Sequence, residues 1–168
     1  MTLKNVAVVL TKKGMGQGPP ELMELLLDRY LKILSEELFP VCAPKLAEHL
    51  KVPADLARVT LLHDEMREDW GMWLSAAGVT TVDATRGPGF DDSGLLIQAA
   101  IEGLGVALGR SALVKGDLQA GRLVRPFLPS LSAESAFYLV YPPGTEGAPK
   151  IKAFRDWLIA TAADDNRD

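Results

Sequence analysis

Phe90-Asp91-Asp92-Ser93-Gly94-Leu95-Leu96-Ile97-Gln98-Ala99-Ala100-Ile101-Glu102-Gly103-Leu104-Gly105-Val106-Ala107-Leu108 carries most of the information about the fold. It opens on Asp and Ser, whose side chains cap a helix by accepting from its first free N–H groups. A long apolar helix, Gly94 to Glu102, follows. Gly103 and Gly105 end it, and Val106-Ala107-Leu108 is a short apolar strand. Helix, glycine turn and strand in direct succession are the repeating unit of an α/β fold.

Toward the N-terminus the alternation continues. Asp69 to Ala77 is helical, with Trp70, Trp73 and Leu74 on one face and Gly78 as its C-cap. Leu61-Leu62-His63 is a short strand, and Pro53-Ala54-Asp55-Leu56 opens a helical turn. Leu38-Phe39-Pro40-Val41-Cys42 is a strand ended by Pro44, with a short helix after it. Glu21 to Leu34 reads as a helix with proline ahead of its first turn and Leu22, Leu26, Tyr30 and Ile33 at helical spacing. Val6 to Leu10 is a continuous apolar run, the pattern of a strand buried on both faces. Toward the C-terminus, Leu123-Val124-Arg125 and Ala136 to Tyr141 read as strands. Lys150 to Ala162 is an amphipathic helix with Ile151, Phe154, Trp157 and Leu158 inward. The expected fold class is α/β: a three-layer sandwich with a mostly parallel central sheet, flavodoxin-like or like one lobe of a periplasmic binding protein. One domain over residues 1–168 accommodates it.

The 168 residues are 48% hydrophobic and 24% charged, ordinary for a globular protein with a real core. The net charge is −4, whereas DNA-binding surfaces are strongly basic, so nucleic-acid binding by this chain alone is not expected. No apolar run approaches the ~18 residues that span a bilayer, so no membrane partner is expected. Cys42 is the only cysteine, which fits a reducing, cytoplasmic setting.

A family likeness rests on many short matches in order. Glu37-Leu38-Phe39-Pro40-Val41-Cys42-Ala43-Pro44 comes first, then Leu61-Leu62-His63-Asp64, Asp69-Trp70 and Trp73-Leu74. Gly87-Pro88-Gly89-Phe90-Asp91-Asp92-Ser93, Gly105-Val106-Ala107-Leu108-Gly109 and Gly121-Arg122-Leu123-Val124-Arg125-Pro126-Phe127 follow, with Phe154-Arg155-Asp156-Trp157-Leu158 last. Residues 36–162 in this order resemble the ligand-sensing half of a LysR-type transcription regulator, in its glycine-cleavage-activator-like branch. The likeness implies a second effector lobe over residues 35–145 and a C-terminal helix over 146–163. A winged helix-turn-helix, a linker helix and a first effector lobe, which the family carries, are not recognised before Glu36. Residues 1–34 instead resemble the opening βα unit of the sulfur-relay family related to the DsrE proteins. Two partial likenesses meeting near Ser35 suggest a grafted βα unit, hence an engineered or recombined chimera without native activity. The alternative is a small-molecule effector-binding regulatory domain without its DNA-binding domain.

The candidate ligand site is Phe90, Asp91, Asp92 and Ser93, because a helix N-terminus offers free N–H groups and a positive dipole end. Simple capping explains the same residues. The acidic pair would repel a dianion, so the expected partner is a small amino-acid-like zwitterion, bound weakly. Gly14, Gly16 and Gly18 form a candidate anion-binding loop. They match neither the phosphate-binding nor the dinucleotide pattern, and a flexible turn accounts for them. His63-Asp64-Glu65 lacks the companions of a zinc site, and Cys42 lies in an apolar run where cysteine behaves as a small hydrophobe. No base, nucleophile and oxyanion donor assemble, so no catalytic residue, no metal and no cofactor are expected. The chain is expected to be a monomer or a weak homodimer.

Overall fold

The computed structural model describes residues 7–12, 31–65, 68–140, 144–145 and 147–165. In chain order the elements are β1 (Ala7–Lys12), β2 (Leu31–Val41), α1 (Pro44–Ala47), a 3-10 turn (Pro53–Arg58), β3 (Leu61–Leu62), α2 (Glu68–Ala76), α3 (Ser93–Ile101), β4 (Val106–Arg110), α4 (Ser111–Gln119), β5 (Leu131–Val140) and α5 (Pro149–Asp165). Two compact units divide the chain: Glu37–Ser132, and residues 1–36 together with 133–168.

In the unit Glu37–Ser132, β4 pairs with β2 antiparallel, Leu38 opposite Arg110 and Val41 opposite Ala107. On its other side β4 pairs with β3 in parallel, Leu61 beside Val106. Both faces of β4 are covered, which is why Val106-Ala107-Leu108 is wholly apolar. Its core joins Phe39 and Val41 of β2, Leu62 of β3, Ala107 of β4, Leu96, Ala99 and Ala100 of α3, Val114 of α4, and Leu123. Full burial of each larger aliphatic or aromatic side chain contributes about 1.5–3 kcal/mol. A second packing centre is the α2 face. Trp70 and Trp73 are fully buried with rings edge-on at 5.9 Å, and their indole N–H groups donate to the carbonyls of Leu62 and Pro129 at 3.0 Å each. Helices α2, α3 and α4 end alike. A glycine (Gly78, Gly103, Gly121) at positive φ follows each one. After α3, Gly103 N–H donates to the Ala100 carbonyl and Leu104 N–H to the Ala99 carbonyl. These bonds satisfy the last carbonyls of the helix.

In the other unit, β1 pairs with β5 antiparallel, from Ala7 opposite Val140 to Lys12 opposite Ser135. Helix α5 buries Ile151 and half-buries Phe154 and Leu158.

The α/β class and the lobe-like arrangement hold, but the sheet is mixed: β3 with β4 is parallel, whereas β1 with β5 and β2 with β4 are antiparallel. The helix expected over Glu21 to Leu34 is wrong at its end. Residues 31–34 belong to β2, where Leu31 and Ile33 alternate with Lys32 and so fit a period of two as well. Residues 21–30 lie outside the described residues. Leu123-Val124-Arg125 is not a strand but a single bridge between Val124 and Cys42. Pro126 cuts it short, and Arg125 turns over the Phe39 ring at 4.4 Å. Trp157, expected inward, is 59% exposed.

The packing makes two outcomes testable. Gly87 has φ +112°, and an added Cβ would sit 1.8 Å from the Leu61 carbonyl oxygen. Gly87→Ala should therefore cost about 3 kcal/mol or more in denaturant unfolding. Gly116→Ala, inside α4 with open space around it, should instead gain about 0.5–1 kcal/mol. Burial pushes the Cys42 thiol from 9.0 up to about 11. Keeping it neutral stabilises the fold below about pH 9, and that contribution is lost as pH rises toward 11. A thiol reagent at about pH 8 should label Cys42 only on unfolding.

Candidate functional site

Parallel strands β3 and β4 bring their carboxyl ends to one edge. In α/β sheets ligands gather at this edge, because helix N-termini and loops open there. β3 runs on into His63 and Asp64. β4 ends at Arg110 and passes without a loop into Ser111, the first residue of α4. Antiparallel β2 contributes its Glu37 end, whose backbone N–H donates to the Ser111 hydroxyl oxygen at 3.1 Å.

Asp64 joins these parts. The Ser93 hydroxyl, at the start of α3, donates to Asp64 Oδ2 at 2.9 Å. Arg110 Nε lies 3.9 Å from the same oxygen, with the Arg110 and Asp64 side chains 11% and 18% exposed. That separation is an ion pair without a direct hydrogen bond. The edge therefore brings together Arg110, the carboxylates of Asp64 and Asp92, the hydroxyls of Ser93 and Ser111, and the N-termini of α3 and α4. Helix N-termini favour negative charge, and at α3 the Asp92 carboxylate already accepts from Leu95 N–H at 2.9 Å, which leaves the amides of Ser93 and Gly94 without an intrahelical acceptor by position.

The segment leading into α3 is pinned to β3 through His63. Its N–H donates to the Pro88 carbonyl at 3.0 Å, and its carbonyl accepts from Phe90 N–H at 2.8 Å. The buried ring places Nε2 2.7 Å from the Arg86 carbonyl. Nε2 is therefore the donor, and Nδ1 is buried without a partner among the described residues. A displacement of residues 86–90 thus moves the start of α3.

The four residues singled out in the sequence divide. Asp92 is the N-cap of α3, accepting from Leu95 N–H at 2.9 Å. Phe90 packs half-buried against the core, and Asp91 is exposed. Ser93 reaches Asp64. Gly14, Gly16 and Gly18 lie outside the described residues. Among the described residues no group of three His, Cys, Asp or Glu side chains could hold a metal. Sequence reasoning missed Arg110 and Ser111, and weighed Asp64 only within His63-Asp64-Glu65 as a metal group. A charged residue closing an apolar strand and passing straight into a serine was the available signal.

Comparison with known proteins agrees with this architecture. The LysR substrate binding domain family matches residues 25–163. That match extends to both sides of Ser35, so a junction of two families there finds no support and the chimera expectation gives way to the effector-domain alternative. The chain is 43% identical over 138 residues to the glycine cleavage system transcriptional activator of Escherichia coli (strain K12), covering 80% of this chain and 45% of that protein. It is 32% identical over 149 residues to the transcriptional activator AmpR of Citrobacter koseri, covering 89% and 49%. The chain thus spans about half the length of the curated relatives it matches. Among solved structures, the effector domain of AmpR from Pseudomonas aeruginosa superposes with a TM-score of 0.77 at 29% identity, over 97% of this chain and 74% of that one. The chain belongs to the LysR substrate binding domain family.

Proposed function

We propose that this chain is the effector-sensing part of a LysR-type transcription regulator, and that its ligand is a small amino-acid-like zwitterion held at the carboxyl ends of β3 and β4. Asp64, placed between Ser93 and Arg110, carries the reading. A ligand carboxylate suits Arg110 and the first amides of α3, and a ligand ammonium suits Asp64. Arg110 and Asp64 stand 3.9 Å apart without a closed hydrogen bond, so the two side chains part to admit a zwitterion, each exchanging the other for the ligand group of opposite charge. Ser93 would then report occupancy, since the ligand competes for its carboxylate partner.

Signalling follows from the same parts. Ser93 starts α3, Ser111 starts α4, and Glu37 holds Ser111 through its backbone N–H. A ligand bound at this edge shifts both helix starts together. Such a shift is the kind of two-state movement that a regulator can pass to a DNA-binding part.

Two charge-assisted contacts of about 1.5–3 kcal/mol each place the dissociation constant between about 0.04 and 6 mM. Calorimetry of the whole chain against a panel of amino acids should detect saturable binding in that range. Asp64→Asn should weaken a binding amino acid about tenfold while leaving propionate unaffected or tighter, because only the ammonium loses its partner. Absence of heat with every amino acid, or equal loss of amino acid and propionate in the variant, would refute the proposal.

A further inference from the structure

A second charged groove lies at the opposite, amino end of β3. It has a volume of about 420 Å³, and the segment 57–61 forms one wall while Arg86 and Gly87 form the other. That size suits a small ligand. Two arginines, Arg58 and Arg86, are among its lining residues together with Thr60, and no acidic residue is. Two acids stand beside these arginines, Asp55 by Arg58 and Asp83 by Arg86, and each is also held by its own backbone. Asp55 accepts from the backbone N–H groups of Lys51 and Val52 at 2.8 and 3.0 Å, and stands 3.8 Å from Arg58. Asp83 accepts from the N–H and hydroxyl of Thr85 at 2.9 and 2.7 Å.

Arg86 is held by the facing wall. Its Nη2 donates to the Ala57 carbonyl at 2.9 Å and reaches the Val59 carbonyl at 3.5 Å, which fixes the plane of the guanidinium across the groove. Among the described residues Nε and Nη1 take no hydrogen-bond partner. Gly87 lets the two walls meet at the floor, where the Leu61 carbonyl fills the place a Cβ would take. A fixed guanidinium with free donors, beside a second one on an exposed side chain, matches an anion with several oxygens.

We propose that this groove is a second small-molecule site, distinct from the Asp64 edge, and that it takes a phosphate group. Arg86 offers its planar fork, and Arg58, whose side chain is 84% exposed, closes over the anion from outside. Free phosphate and the phosphate of a small ester share this chemistry. The open groove leaves room for the organic part of an ester.

The test is amide and arginine Nε NMR of the whole chain, titrated with inorganic phosphate and with glycerol phosphate at constant ionic strength. Saturable shifts of Gly87 and the Arg86 Nε group are expected, at about 1 mM for phosphate. Tighter binding of glycerol phosphate would identify an ester as the preferred source, and equal binding would identify the free ion. Arg86→Gln removes two backbone contacts that hold the wall, so Arg58→Gln is the deciding variant. It should weaken phosphate at least about fivefold with the spectrum otherwise unchanged, and Ser93→Ala should leave phosphate binding intact. Shifts that never saturate, or that chloride reproduces, would overturn the site. So would a phosphate affinity insensitive to Arg58→Gln or lost in Ser93→Ala.

Discussion

The close seating of β4 is the constraint on which the larger unit depends. Val106 and Ala107 are fully buried, and the strand is paired on both edges. At Gly109 an added Cβ would lie 2.8 Å from the Val114 side chain and 2.9 Å from that of Val41. Only a residue without a side chain lets α4 and β2 approach the strand this closely. Any larger residue there pushes the first turn of α4 outward, and Arg110 and Ser111 go with it. Packing at one glycine therefore sets the geometry at the strand's charged end.

The chemistry of that end is one of balance. Two helix N-termini and a guanidinium would by themselves favour any anion. Asp64, next to both the Ser93 hydroxyl and Arg110, cancels part of that field and favours a ligand carrying both signs. Partial burial matters here. With both side chains largely covered, the Arg110–Asp64 pair is less screened than a surface pair, yet too long to be a closed hydrogen bond.

Elements with a strong local signature were legible in the sequence. The Asp92 cap, the apolar run of α3, the glycine after it and the apolar strand β4 all lie where their residue types dictate. So does the tryptophan face of α2, because large apolar residues three apart leave little choice. Helix α4 was not legible. It carries Gly116 in its interior and only Val114 fully buried, so no apolar stripe marks it. Residues 31–34 fit both periods, and only pairing across the sheet decides between them. The candidate site was half visible. Ser93 showed itself as a helix-start residue, but its partner Asp64 is 29 positions away and meets it through parallel pairing that no local pattern encodes.

A structure of the chain determined with a bound amino acid is the most direct measurement. The ligand should lie at the carboxyl ends of β3 and β4, its carboxylate toward Arg110 and the first turn of α3, its ammonium on Asp64. An amino acid bound elsewhere, with the Ser93–Asp64 bond and the start of α4 unmoved, would contradict it.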